Sequence, residues 1–386
     1  MKKTEYHPNG GVSPELNALD QLDPTDTAAL AQVGVLTEGE QRAGTLILRD
    51  FCPICIPNRT EGLELLPIAT ALEKYDWLRE KYFWKAVPTD LDEITEQCAS
   101  QQEVYGYFAW VRKGAKVLLP CQAALYMASD NITQVVHNVV IVEDDAELQL
   151  VTGCVTHQNV YSGLHMAVSE QFIGKNARLI NTMVHDWGPD VTVYPRSGTF
   201  VEAGGCYESN YISLRPAKII TSNPQTRLIG KGASAKFLSV ILGVEGSMID
   251  MGGDIYLDAD DTTAELAHRG VCTGGEMHQK GLLIGNAKCK AHVDCAGLLL
   301  NVGEEGFILS IPGIKAHHPD ARMSHEASIG KLAPEQVEYL QSRGMEEREA
   351  ISLMIRGFLG ADIDGLGFEL EDRIAEITEL AGHGEG

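Results

Sequence analysis

Signature loops of the common enzyme classes are missing from this sequence of 386 residues. It contains no Gly-x-x-x-x-Gly-Lys-Ser/Thr loop, so no motif predicts ATP binding by this chain. It also lacks a Gly-x-Ser-x-Gly elbow and a His-Glu-x-x-His pair, the usual marks of a serine hydrolase and a zinc protease. These absences argue against an ATPase or a hydrolase of a common type.

Long apolar runs and positive charge are also scarce. No stretch reaches the roughly 18 apolar residues of a membrane span, and no apolar run follows Met1-Lys2-Lys3 as it would in a signal peptide. Lys and Arg together number 31 against 54 Asp and Glu, which gives a formal net charge of -23. That charge repels phosphate backbones and anionic lipid heads. We therefore expect a cytoplasmic protein with no membrane and no nucleic acid partner.

The cysteines lack the paired spacing of a disulfide framework. There are nine, an odd number, and they run from Cys52 to Cys295, which favours reduced thiols that are available to metals. Cys52 and Cys55 form a single Cys-x-x-Cys knuckle, which could hold one metal or form a redox disulfide. Without a second knuckle, this pair is weak support for either role.

Helical patterns occupy the first part of the chain. Ser13-Pro14-Glu15 and Thr25-Asp26 have the residue types of helix starts. Residues 68–87 carry apolar side chains at three-to-four spacing, which predicts a longer amphipathic helix. We predict a helical N-terminal domain over residues 1–116.

The end of the chain also has a helical pattern. One helix is predicted from Pro334 to Gly344, and a last acidic helix over residues 369–380. Between them, a second helix is predicted from its apolar stripe of Ile351, Met354, Ile355 and Phe358. We predict a helical C-terminal domain over residues 333–386.

Between these regions, a polar turn followed by a small residue recurs. The turns centre on residues 145, 176, 205, 232, 261 and 286, so that one turn follows another about every 28 residues. Stacked coils of a β-solenoid produce such a repeat, whereas strands of a β-sandwich recur every 8 to 12 or so residues. We therefore predict a mainly β chain with a β-solenoid core over residues 117–332.

Soft metal ligands are densest just before the end of this core. Cys289, His292 and Cys295 lie close together, with Cys272 and His278 upstream. In an extended strand Cys289 and Cys295 share one face and His292 lies on the other, so the three are not a ready ligand set. The alternative is that one cysteine fills a slot inside a coil while the other is on the surface.

Two further groups have both a structural and a functional interpretation. Cys206 stands where other turns carry a small residue such as Ala146, which predicts a buried packing position. His317, His318 and His325 lie near the end of the core, and isolated histidines are more often surface or packing residues than ligands.

A family resemblance becomes visible in the last third of the chain. Residues 323–332 (MSHEASIGKL) and 336–344 (QVEYLQSRG) closely resemble the C-terminal signature of SufB/SufD scaffold proteins of iron-sulfur cluster assembly. Residues 292–300 (HVDCAGLLL) look like the last core strand of that family, and residues 75–82 (YDWLREKY) resemble its N-terminal helix. The resemblance implies a right-handed parallel β-helix core with helical ends and no nucleotide site.

The resemblance also implies roles for individual residues. Cys295 matches the essential core-strand cysteine of the family, and His325 and Glu326 match its His-Glu pair, so these three are the expected cluster ligands. Cys206 falls near the cysteine that accepts sulfur, while Cys289 remains a candidate from its chemistry alone. Adjacent strand residues face opposite ways, so His325 and Glu326 predict a site at an interface. Whether the transient cluster has two or four irons stays open.

Expected partners follow from the same resemblance. The scaffold would bind a SufC-type ABC ATPase through residues 334–359, pair with a second copy of itself as a homodimer through the end of the solenoid, and meet a sulfur donor and apo-protein recipients. ATP hydrolysis is expected in the partner, so the chain is predicted to be a scaffold and not an enzyme. The alternatives are a β-solenoid enzyme of acyltransferase or lyase type, and a purely structural β-solenoid binding module.

Overall fold

The computed structural model describes residues 22–37, 41–56, 60–215, 217–300 and 306–359. It is mainly β, with 53% strand and 15% helix, and forms a solenoid of about seven turns with helices at both ends. The predicted fold class is therefore confirmed. The helices predicted at Ser13 and over residues 369–380 lie outside the described residues.

The chain alternates between the two sheets of the solenoid, so the strands are numerous but their order is simple. The strands are β1 (Gly44–Arg49), β2 (Cys52–Ile56), β3 (Leu63–Pro67), β4 (Tyr107–Val111), β5 (Lys116–Met127), β6 (Ile132–Val142), β7 (Glu147–Thr156), β8 (Ser162–Ile173), β9 (Arg178–Asp186), β10 (Asp190–Val201), β11 (Cys206–Arg215), β12 (Ile219–Ser222), β13 (Gln225–Leu228), β14 (Ser234–Gly243), β15 (Met248–Met251), β16 (Asp254–Leu257), β17 (Thr262–Cys272), β18 (Glu276–Gly285), β19 (Cys289–Leu299), β20 (Phe307–Ala316) and β21 (Arg322–Gly330). The helices are α1 (Pro24–Ala31), α2 (Ile68–Lys74), α3 (Asp76–Lys81), α4 (Glu93–Ala99), α5 (Pro334–Ser342) and α6 (Glu347–Leu359).

Two sheets face each other across the core. Sheet A has the order β2-β1-β5-β7-β9-β11-β14-β17-β19-β21, and sheet B runs β12-β15-β18-β16-β13-β10-β8-β6-β4-β3, with β20 paired to β18. The β1–β2 and β3–β4 pairs are antiparallel, and the pairs between coils are parallel. The terminal coil is therefore β20 and β21, and no described strand follows it.

The predicted turns stack on one another and are joined by backbone hydrogen bonds. Asp145, Asn176 and Asp261 have φ values of 60°, 53° and 60°, and Gly204 and Gly232 have 67° and 72°. Asp, Asn and Gly are the residues that tolerate this left-handed backbone. The backbone N–H of each turn residue donates to a carbonyl of the next coil, at distances between 2.7 and 3.0 Å. The repeat read from the sequence is thus a repeat of turn chemistry.

One predicted position in this repeat is wrong. The small residue after each left-handed turn residue is fully buried at Ala146 and Ala233, and the equivalent position in the third turn is Gly205. Cys206 follows it, begins strand β11 and is partly exposed. Because residues 204 and 205 are both glycine, the buried position falls on Gly205, one residue earlier than predicted. Cys206 is therefore not a buried packing residue.

The prediction of a predominantly helical N-terminal region is also corrected by the structure. Strands β1 to β4 belong to the two sheets, and the single helix predicted over residues 68–87 is two short helices, α2 and α3. They are separated at Tyr75, whose backbone is extended with φ -128° and ψ 93°. The Tyr75 hydroxyl donates to Glu64, and its ring meets Trp110 edge-on at 5.3 Å. These tertiary contacts override the helical period. The domain boundaries at 116 and 333 remain predictions.

Helices α1 and α6 pack on the outer face of sheet A. Ile351 and Ile355 of α6 and Leu30 of α1 are buried in one apolar cluster with outward residues of the sheet such as Val240 and Leu298. By contrast, α5 has no buried residue. None of the helices in the described part of the chain has the length and apolar character needed to cross a membrane.

A buried carboxylate fixes the loop after α3 to the solenoid. Glu170 of β8 is fully buried, and its two oxygens accept backbone N–H groups from residues 84–87 at 2.6 to 3.2 Å. The Nε2 atom of His137 lies 2.8 Å from the same carboxylate. Burial lowers the pKa of His137, against the opposing effect of Glu170, so a neutral imidazole donates this hydrogen bond.

Candidate functional site

Cys295 lies inside the solenoid on β19, close to the terminal coil. Its side chain is fully buried among the interior residues of sheet A. In the parallel ladders it pairs with His268 of β17 on one side and with Ala327 of β21 on the other. Burial raises the pKa of the Cys295 thiol to about 12, with a smaller effect from Asp294 that Arg269 opposes. The thiol is therefore protonated and must lose its proton to bind a metal.

Cys289 shares the interior face with Cys295, as predicted from their spacing. Cys289 is 3% exposed and belongs to the same apolar core, and burial raises its pKa. His292 lies on the opposite, outer face, where its Nδ1 atom is 2.8 Å from the Ser324 hydroxyl. The three residues therefore do not converge, which is the outcome expected for an extended strand.

His325 and Glu326 lie on β21 of the terminal coil, and both are exposed. His325 pairs with Val293, an interior residue, and Glu326 pairs with Asp294, whose carboxylate is ion-paired with Arg269 at 2.5 Å. Paired residues in a ladder face the same side of the sheet. His325 therefore lies on the face of Cys295, one strand and two residues away, whereas Glu326 lies on the outer face.

Cys206 lies on the outer face of the same sheet, at one end of an open groove. The groove has a volume of about 700 Å³ and crosses five strands, from Cys206 on β11 to Arg322 and Ser324 on the terminal coil. Charges of both signs line it, including Glu208, Lys236, Glu265 and Lys290. Tyr207, the next residue, is in the interior core, so Cys206 and Cys295 lie on opposite faces of sheet A and are not brought together.

His268 is a buried residue that was not among those predicted from the sequence. Its Nε2 atom is 2.9 Å from the backbone carbonyl of Lys280, and its Nδ1 atom is buried without a hydrogen-bond partner in the described structure. Burial lowers the pKa of His268 to about 4, so the ring is neutral. The only sequence signal for its position is its distance of one coil from Cys295, which becomes visible once the strand register is known.

An interior cavity of about 60 Å³ begins beside His268 and continues between the sheets. Polar side chains line it, among them His165, His185 and Tyr211. The Nδ1 atom of His185 is 2.8 Å from the Tyr211 hydroxyl, and its Nε2 atom is buried without a partner in the described structure. The core of the solenoid therefore contains polar side chains in this region.

The remaining predicted ligands lie apart from this region or from each other. Cys272 is buried, and its thiol donates to the Gly274 carbonyl at 3.1 Å. His278 contacts Glu276 at 2.8 Å. Cys52 is exposed on β2, so Cys52 and Cys55 are part of an extended strand and not of a knuckle turn. Within the described ranges, no three or more His, Cys, Asp or Glu side chains are grouped to hold a metal ion.

Comparisons with known proteins agree with one another. The family model described as SUF system FeS cluster assembly, SufBD core domain, matches residues 125–358. An iron-sulfur cluster assembly SufBD family protein of Archaeoglobus fulgidus is 40% identical over 357 residues, which cover 92% of this chain and 95% of that protein. Its counterpart in Methanothermobacter thermautotrophicus is 38% identical over 376 residues, or 96% of this chain and 91% of that protein. A protein of the same family from Pyrococcus horikoshii is 27% identical over 381 residues, or 96% and 84%.

Proposed function

Because this chain belongs to the SufBD family of iron-sulfur cluster assembly proteins, we propose that it is the scaffold on which a cluster is built and from which apo-protein recipients take it. One observation carries this proposal: the Cys295 thiol lies one strand from the open end of the solenoid, on the same face as the exposed His325. Family membership also argues against the alternative of an acyltransferase or lyase.

The ligand chemistry suits transient binding of a cluster. Thiolate is the soft ligand that iron-sulfur clusters prefer, and imidazole or carboxylate ligands hold iron less tightly. Cys295 would anchor the cluster, His325 would complete the site on the same face, and Cys289 is a second thiol on that face. A mixed ligand set of this kind favours release to a recipient.

The terminal coil is the proposed contact with a second copy of the chain. It exposes several large apolar side chains, namely Phe307 at 50%, Ile311 at 48%, Ile314 at 39% and Ile329 at 49%. Strand β21 also has an edge on which none of the described strands pairs, and uncovered apolar edges of this kind promote association. A twofold homodimer through this end would bring Glu326 of each chain to the interface, where it could reach the cluster that the partner chain holds.

The C-terminal helices are the proposed surface for a SufC-type ABC ATPase. Tyr339 of α5 is 57% exposed and Leu353 of α6 is 49% exposed, while the opposite face of α6 is packed on sheet A. This chain has no phosphate-binding loop of its own. A partner that hydrolyses ATP would therefore act on the scaffold through residues 334–359.

The outer groove gives Cys206 access to a sulfur donor. Cys206 is the partly exposed thiol at the groove's end, and its Sγ atom is 3.9 Å from Glu208. We assign it the role of first sulfur acceptor.

Anaerobic reconstitution with ferrous iron and sulfide tests the scaffold proposal. Cys295→Ser should abolish the visible absorbance of the assembled cluster, because serine replaces the anchoring thiolate. Cys154→Ser is the matched control, since Cys154 is an equally buried thiol on the same sheet but five strands away from β19. Full retention of the spectrum in Cys295→Ser would remove this residue from the site.

A further inference from the structure

The imidazole of His268 is held in one tautomer. A backbone carbonyl can only accept a hydrogen bond, so the 2.9 Å contact with Lys280 requires a proton on Nε2. In the neutral ring, Nδ1 then carries a free lone pair. Histidines that bind metals usually donate their other N–H to a carbonyl or carboxylate in this way, which fixes the ring for ligation.

The lone pair on Nδ1 has no protein partner. This atom is buried, and no hydrogen bond to it exists in the described structure. A buried polar atom without a partner destabilises the folded state, so such atoms in native proteins usually face water, an ion or a ligand. His268 lines the interior cavity, which offers space for a small occupant.

The residue beside His268 is Cys295. The two are paired directly in the β17–β19 ladder, and both side chains face the interior. Paired residues on neighbouring strands lie about 4.8 Å apart. Ligands at about 2.3 Å for sulfur and 2.1 Å for nitrogen can share one metal ion across that spacing.

We propose that His268 is an interior ligand of the iron bound at Cys295, with Nδ1 and the Cys295 sulfur coordinating the same ion. The Cys295 thiol releases its proton to solvent as the iron-sulfur bond forms, and His268 keeps its Nε2 proton on the Lys280 carbonyl. The inference rests on the proposed scaffold function. It places part of the cargo inside the solenoid, in addition to the exposed ligands of the terminal coil.

Pulsed electron paramagnetic resonance on the reconstituted and reduced cluster can detect a coordinated imidazole nitrogen. In the full-length protein, the wild-type cluster should couple to two imidazole nitrogens, from His325 and His268. The double variant H292Q/H325Q removes the exposed histidines, and the cluster that it retains should couple to the one nitrogen of His268. The cluster in His268→Gln should couple to the nitrogen of His325 alone. The amide N–H of the introduced glutamine can still donate to Lys280, so this variant removes the imidazole nitrogen and keeps the hydrogen bond.

His185→Gln is the matched control, because His185 is a buried histidine of the same cavity that lies on β9, three strands from β17. It should retain both the cluster and the coupling. A cluster in H292Q/H325Q without nitrogen coupling, or a cluster in His268→Gln that couples to as many nitrogens as the wild type, would overturn the proposal. If one of the two variants carries no cluster, the number of coupled nitrogens in the other decides.

The scaffold proposal fails separately from this inference. Wild-type protein that assembles no cluster, or Cys295→Ser with full cluster absorbance, contradicts the scaffold function. A cluster that depends on Cys295 but shows no imidazole nitrogen coupling in the wild type leaves the scaffold function intact and refutes the role of His268.

Discussion

Replacing the buried carboxylate of Glu170 should destabilise the protein measurably. Its Oε1 atom accepts the N–H groups of Lys85, Ala86 and Val87, and its Oε2 atom accepts those of Trp84 and His137. In Glu170→Gln, the amide oxygen can keep the first set. The amide nitrogen then faces two donors, which turns two hydrogen bonds into donor–donor contacts.

The magnitude follows from those two contacts. A hydrogen bond to a charged group contributes about 1.5–3 kcal/mol, and a change of tautomer at His137, whose Nδ1 atom has no described partner, relieves at most one contact. We expect a loss of about 4 kcal/mol in the free energy of unfolding. With an unfolding entropy of about 2.1 cal/mol/K for each of 386 residues, the midpoint of thermal unfolding falls by about 5 °C.

Circular dichroism during heating measures this change, and trypsin cleavage at Lys85 reports whether the loop detaches first. Glu208→Gln is the control, because Glu208 forms a partly exposed ion pair with Arg178. Loss of this ion pair should lower the free energy of unfolding by less than about 1 kcal/mol. A fall of less than 1 °C in Glu170→Gln, with no new cleavage, would refute the reasoning about the buried carboxylate.

Three further outcomes are expected. Deleting residues 334–359 should abolish co-purification with the ATPase partner, and Leu353→Glu should weaken it without shifting the unfolding midpoint. Ile329→Asp should convert a homodimer into a monomer in size-exclusion chromatography with light scattering, while Ile229→Asp, an exposed isoleucine elsewhere, should not. Acid should destabilise the fold, because burial lowers the pKa of His165 and His185 to about 3, whereas the unfolded chain binds these protons near pH 6.5. The contribution of the two histidines to the free energy of unfolding is then fully present above about pH 6.5. As the pH drops towards 3, each histidine lowers the free energy of unfolding by up to about 1.4 kcal/mol for every pH unit.

Each of these outcomes has a result that contradicts it. Unchanged ATPase binding after the truncation would mean that the partner binds another surface. A dimer that persists in Ile329→Asp would mean that the interface does not lie on the terminal coil. For the acid effect, equal unfolding midpoints at pH 7 and pH 5 would show that the two histidines are not buried as neutral rings.

The solenoid was predictable because its repeat depends on local backbone chemistry. A left-handed turn requires Asp, Asn or Gly, and residues such as Asp145, Asn176 and Asp261 mark those turns directly in the sequence. Strands β1 to β4 are short and lie next to a strong helical period, so local patterns could not separate them from helices. Apart from the β1–β2 hairpin, their partners are distant in sequence, and no local window contains them.

The candidate site was predictable only in part. The spacing of Cys289 and Cys295 showed that they share a face, and burial in the structure agrees. The position of Cys206 depended on a one-residue offset at a double glycine. His268 and Cys295 are neighbours through the register between coils, which is a property of the folded chain and not of any short motif.

Because the turns stack regularly, the number of coils determines the length of the solenoid. Each coil bonds only to the coils on either side of it, and each adds about 4.8 Å to the length of the solenoid. A duplicated or deleted coil would therefore change the span between the N-terminal hairpin and the terminal coil in fixed steps, while the residues at either end kept their own neighbours. Relatives of different length could in this way present the same ends at different separations.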